Sequence, residues 1–181
     1  MKLVPAIRYK NEIEKYIQSI MYTEESYLLS GFKHSYTVSI PEDDREGHNF
    51  HWAVLNNSNQ LIGYISYQIE YFDSVLRNLK ILSFVKGSIC IGLALQRITE
   101  MINEYNLNKI IIYTIDDNPI RPKYDNLCIN NNGIKYVFKE EYKDNKGIYH
   151  DLIRYDIFIK NKKLIFDISD PNKKKNNKLL Q

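Results

Sequence analysis

The sequence predicts an α/β (α+β) fold in which a βαβ crossing joins two parallel strands within a larger sheet. Three observations predict it. Leu61, Gly63, Ile65, Tyr67, Ile69 and Tyr71 alternate with mostly polar or smaller residues, the period of two that marks a long strand. Ile91, Leu95, Ile98, Ile102 and Tyr105 recur at helical spacing, which gives an amphipathic helix ending near Asn106. Lys109–Ile115 is almost continuously apolar, as expected of a central strand covered on both faces. Strand, helix and buried strand in succession make the βαβ unit.

The remaining elements follow in order. Lys2–Ile7 reads as a short strand, with Pro5 tolerated at an edge. Asn11-Glu12-Ile13-Glu14 resembles a capping box, and Ile13, Ile17 and Ile20 continue a helix over residues 12–22. Thr23–Gly31 reads as a shorter helix, and residues 34–47 as a polar loop with Pro41 before three acids. Phe50–Leu55 is a strand paired as a hairpin with the long strand after the turn at 56–59, and another strand spans about Val75–Phe84. Pro119 and Pro122 break the stretch from Asn118 to Asn132, which reads as poorly helical. A closing hairpin joins Ile134–Lys139 to Tyr149–Ile159 through a turn near Asp144–Gly147. Leu164–Ile168 is a further strand candidate, and the chain frays from Pro171. One domain over residues 1–160 with a basic tail over 161–181 is the expected organisation.

Composition narrows the function classes. The net charge of +3 is small and owes its sign to seven lysines from Lys160 to Lys178, so a nucleic-acid-binding field over the whole surface is not expected. The two cysteines, Cys90 and Cys128, have neither metal-ligand nor CxxC spacing. His34, His48 and His150 share no ligand spacing, so no metal is expected. The opening residues MKLVPAIRYKNE lack the apolar stretch of a signal peptide, and no run approaches the roughly 18 apolar residues of a membrane span. Cytoplasmic localisation, with no membrane and no nucleic-acid partner, is the expectation.

The segment Asn78–Gly92 (NLKILSFVKGSICIG), the helix Leu93–Tyr105, the strand Lys109–Ile115 and Asn118–Tyr124 (NPIRPKY) resemble the strand, phosphate-loop, helix, strand and tyrosine core of the GCN5-related N-acetyltransferase (GNAT) family. Thr23-Glu24-Glu25-Ser26-Tyr27-Leu28 resembles the early helical segment of a bacterial subgroup. The resemblance covers roughly residues 2–159. It implies a mixed, mostly antiparallel sheet of six or seven strands, a central parallel pair and helices on both faces. It also implies acetyl transfer from acetyl-CoA to the amine of a small molecule or peptide, with a homodimer permitted. Ser83, Phe84, Val85, Lys86, Gly87, Ser88, Ile91, Gly92, Leu93 and Asn118 are the cofactor-binding candidates. A helix N-terminus, with unsatisfied N–H donors and about half a positive charge, suits a pyrophosphate in any case.

Tyr124 is the candidate acid that protonates the departing thiolate, with Glu25 and Glu70 as candidate bases. His51, on a strand beside Trp52, is weighed as a substrate contact against a packed, hydrogen-bonded histidine. The phosphate loop departs from the family's usual Arg/Gln-x-x-Gly-x-Gly/Ala. With Gly92 at its last position, Gly87 falls where the basic or amide residue belongs and Cys90 where the middle glycine belongs. That departure keeps an alternative open, a GNAT-fold module that binds a ligand or protein without catalysis.

Overall fold

The computed structural model describes residues 1–23, 40, 48–85 and 89–165. Its strands are β1 (Lys2–Pro5), β2 (Asn49–Leu55), β3 (Leu61–Glu70), β4 (Val75–Ser83), β5 (Lys109–Ile115), β6 (Ile134–Lys143) and β7 (Tyr149–Phe158). Its helices are α1 (Lys10–Met21), α2 (Ile89–Glu104) and α3 (Arg121–Asn130). The strands form one sheet in the order β1-β2-β3-β4-β5-β7-β6, antiparallel throughout except for the β4–β5 pair. This is the predicted mixed sheet, at seven strands, with the predicted parallel crossing. The helix expected over 23–31, the 34–47 loop and the tail beyond Ile165 fall outside the described residues, apart from Thr23 and Ile40.

Successive strand residues point to opposite faces, and the core divides accordingly. Ala53 and Tyr64 pack with Ile13 and Ile17 of α1 on one face. Val54 and Ile65 pack on the other with Ala94, Ile98 and Ile102 of α2 and Leu127 of α3. Helices thus cover both faces, α1 on one and α2 and α3 on the other. No helix among the described residues is long and apolar enough to cross a membrane.

Two local expectations are corrected. β1 stops at Pro5 because Ala6–Tyr9 form a 3-10 turn that runs directly into α1. The helix therefore begins at Lys10, whose N–H bonds to the Ile7 carbonyl, and the expected Asn11 capping box does not form. Carbonyls of the preceding turn supply acceptors that a cap would otherwise provide. Glu14 instead accepts the Ile40 N–H at 2.7 Å. The second correction concerns the prolines. Pro122 sits in the first turn of α3, where its missing N–H costs nothing, so it starts a helix rather than breaking one.

Packing continues past β7. Leu164 is buried in the main core, and the Asn131 amide brackets Ile165 through its N–H (2.8 Å) and its carbonyl (2.7 Å).

Candidate functional site

The sheet opens at one place, between β4 and β5. Their parallel pairing holds only at Val75↔Lys109 and Leu76↔Ile110. From there β4 follows β3 as far as Ser83, while β5 follows β7 as far as Ile115. A bulge in β4 accompanies the divergence. Between the pairs Gln68↔Arg77 and Ser66↔Lys80, two steps along β3 match three along β4. Asn78 takes up the extra residue in the left-handed region (φ 53°), and its amide N–H is held by Gln68 Oε1 at 2.8 Å. Such an insertion bends a strand and increases its twist. Beyond Leu76 and Ile110 no strand pairing bridges the two strands among the described residues, which leaves a fork whose main-chain edges can take an extended ligand.

Helix α2 begins at the open end of this fork. Cys90, in its first turn, is fully buried against β3, with Sγ 3.6 Å from the Ile62 carbonyl. A Cβ on Gly63 would meet Cys90 Sγ at 2.5 Å and the Leu82 carbonyl at 2.6 Å. Helix and sheet therefore touch through a glycine. Cys90 turns into the core, so its side chain does not crowd the outer side of the turn. Gly92 is the reverse case, because a Cβ there would meet nothing within 4 Å among the described residues outside its own helical turn. Ile91 and Leu93 beside it are half-buried against the main core.

Other candidates settle in different surroundings. Ser83 donates its hydroxyl to the Val85 carbonyl, and Val85 is exposed. Phe84 is engaged within the protein: its N–H bonds to the Ile62 carbonyl at 2.9 Å, and its own carbonyl accepts the Tyr16 hydroxyl at 3.2 Å. The Tyr16 ring stacks on it at 3.9 Å, so α1 braces the end of β4. Asn118 shapes the turn into α3, accepting the Ile120 N–H on Oδ1 at 3.1 Å and the Arg121 N–H on its carbonyl at 2.9 Å. Tyr124 lies on α3, buried beside Tyr155, and burial pushes its phenol far up. Asp125 fastens the same helix to Lys135 (2.6 Å) and to the Tyr155 hydroxyl (2.8 Å). Glu70 stands at the closed end of the fork, opposite Val75. Eight residue steps along β4 separate Val75 from Ser83, about 26 Å at ~3.3 Å per residue. Glu25, Lys86, Gly87 and Ser88 lie outside the described residues.

Two features were not legible in the sequence. Thr114 on β5 is buried on the same face as Ile110 and Ile112, and its hydroxyl has no hydrogen-bond partner among the described residues. On the α1 face, register aligns His51, Ser66 and Lys80 across β2, β3 and β4. His51 Nδ1 lies 2.7 Å from the Tyr64 hydroxyl, whose pKa burial pushes up to about 12, while burial pulls the Lys80 amine down. Trp52 faces the other way, donating to the Tyr67 hydroxyl at 2.9 Å with Arg97 over its ring, a packing role.

No protein-family model and no curated protein matches the chain. Solved structures do. A chimera of the spermidine N-acetyltransferase SpeG from Vibrio cholerae and hSSAT is 18% identical, with a TM-score of 0.58 over 87% of this chain and 96% of that one. The spermidine/spermine N-acetyltransferase SpeG from Vibrio cholerae in complex with manganese ions is also 18% identical, with a TM-score of 0.57 over 87% of this chain and 91% of that one. The protein therefore has the fold of these acetyltransferases, the GCN5-related N-acetyltransferase fold that the strand, loop and helix sequences resemble.

Proposed function

We propose that the protein transfers an acetyl group from acetyl-CoA to the amine of a small molecule or peptide. The observation that carries this reading is the β4–β5 fork opening against the N-terminus of α2. One detail of the residues present fits the cofactor, the open space over Gly92. The cofactor supplies the activated acetyl thioester. The edges of β4 and β5 take its extended arm, and the first turn of α2 meets its pyrophosphate, with Lys86, Gly87 and Ser88 in the connecting loop.

In the reaction the amine nitrogen attacks the thioester carbon, the C–S bond breaks, the nitrogen gives up a proton and the thiolate gains one. Tyr124, on α3 just after β5, is the candidate for the acid role, and its phenol is protonated at neutral pH, although burial, by pushing it up, also makes it a weaker donor. Glu70 is poorly sited for a thioester near the open end, so among the described residues the His51–Tyr64 pair is the better candidate to receive the amine proton, and Glu25 stays a candidate from the sequence alone. The spermidine enzymes share only the fold, but they make small polyamines the first acceptors to test.

Thermal unfolding with and without acetyl-CoA, with adenosine diphosphate as the comparison, tests the reading. At about 100 times its dissociation constant a ligand adds roughly 2.7 kcal/mol, which for a chain of this size raises the midpoint ~5–10 °C. A rise specific to acetyl-CoA, followed by thiol release in the presence of spermidine or another amine, is the expected result. Absence of any shift overturns cofactor-dependent catalysis. A shift without thiol release for any amine favours the alternative, a binding module that has lost the reaction.

A further inference from the structure

The turn after β5 and the first residues of β7 bring three metal-ligating side chains to one point. Asp116 and Asp117 follow β5, His150 opens β7, and the Asp116 N–H bonds to the Asp151 carbonyl at 3.0 Å, which locks the two segments together. His150 Nδ1 lies 3.5 Å from Asp116 Oδ1 and 3.6 Å from Asp117 Oδ2. One ligand atom from each residue falls within 4.8 Å of the others. His150 itself is only 9% exposed.

Two independent features point to a cation there. Asp116 Oδ1 is turned out of solvent and has no hydrogen-bond partner among the described residues, although the Asp116 side chain as a whole is 36% exposed, and it is aimed at the histidine. A bound cation would give that oxygen the strong partner it lacks. The second feature is the far side of the ring. His150 Nε2 faces Asp144 Oδ2 at 3.4 Å, and Asp144 is itself fixed by the N–H groups of Lys146 and Ile148 on Oδ1, both at 2.8 Å. A proton on Nε2 shared with Asp144 presents the Nδ1 lone pair to two carboxylate oxygens, the orientation that second carboxylates impose on metal-bound histidines.

We propose that Asp116, Asp117 and His150 bind one divalent transition-metal ion of the zinc class, with Asp144 orienting the histidine. Ligand atoms about 2.0–2.1 Å from a tetrahedral ion sit ~3.4 Å apart, close to the 3.5 and 3.6 Å separations from Nδ1. One imidazole nitrogen and two carboxylate oxygens suit zinc and its first-row neighbours, and leave a fourth position for water. The half-exposed Asp117 provides the way in from solvent. The ion pins the turn that launches α3, the helix carrying Tyr124, to β7 and the β6–β7 turn. The site stands whether or not the protein transfers acetyl groups.

Chelator-treated protein titrated with Zn2+ by calorimetry, and with Co2+ followed by its visible absorption, tests this. One ion per chain is expected, with affinity lowered at least tenfold in Asp117→Asn and in His150→Gln and a higher unfolding midpoint for the zinc-loaded wild type. Asp117→Asn changes an exposed side chain, so it reports on the site even if His150→Gln fails to fold. Failure of the wild type to bind Zn2+ overturns the proposal, leaving hydrogen bonds and ion pairs alone in the cluster. Stoichiometric binding unaffected by Asp117→Asn also overturns it, because the ion then sits elsewhere.

Discussion

Replacing Gly92 with alanine separates the two things a glycine can do at this place. Gly92 is the fourth residue of α2, and an added Cβ would meet no atom within 4 Å among the described residues outside its own helical turn, so they impose no steric need for glycine. Glycine within a helix is roughly 0.5–1 kcal/mol less favourable than alanine. Gly92→Ala should therefore stabilise the protein by up to that amount. At ~2–4 °C per kcal/mol for a chain of this length, the midpoint rises about 1–4 °C. If acetyl-CoA lies across the first turn of α2, the same methyl group occupies space beside its pyrophosphate. The affinity then falls about tenfold or more, equivalent to ~1.4 kcal/mol. Thermal unfolding without ligand reads the first effect, and calorimetric titration with acetyl-CoA reads the second. A stabilised variant that binds acetyl-CoA as well as the wild type refutes the placement of the cofactor over Gly92. A destabilised variant refutes the packing argument itself.

Three further outcomes are expected. Gly63→Ala places a methyl against Cys90 Sγ and the Leu82 carbonyl and costs about 1–3 kcal/mol in denaturant unfolding; adding Cys90→Ala recovers only part, since the carbonyl remains, and full stability in the single variant contradicts the close approach. Tyr124→Phe removes one hydroxyl and should leave the unfolding midpoint close to that of the wild type while lowering kcat about 100-fold; an unchanged kcat removes Tyr124 from the acid role. Burial would raise the Asp156 carboxyl, but Arg154, paired through two nitrogens at 2.6 and 2.8 Å, and Lys109 outweigh it and hold it below the usual carboxylate value. Its stabilisation is then complete above the unfolded value of about 3.9 and lost as pH falls through the lower folded value. Asp156→Asn should accordingly cost ~3–5 kcal/mol at neutral pH, with the gap to wild type closing below about pH 4; a gap that stays constant through the acid limb sinks the assignment.

The sequence by itself determined the order of the described elements apart from α3, with β3 and α2 legible from the periodicity of their apolar residues and β5 from its nearly unbroken apolar run. It placed the start of helix α2 just after Gly92, a few residues late, since α2 begins at Ile89. The tertiary structure alone decided the rest. Asn78 gives no sign in sequence that it will adopt a left-handed conformation, yet its bulge accompanies the divergence of β4 from β5. Glu70 lies on the expected strand, but which end of the fork it occupies depends on how β3 and β4 register. Cys90 stands where a glycine was expected, and only the contact with Gly63 shows that its side chain goes inward. Asp116 and His150 are separated by the whole of α3 and β6, so no ligand spacing exists to be read. They meet because antiparallel pairing of β5 with β7 returns the chain to the same end of the sheet. Periodicity is a local property and survives in the sequence, whereas register, bulges and strand order are set by pairing between distant segments.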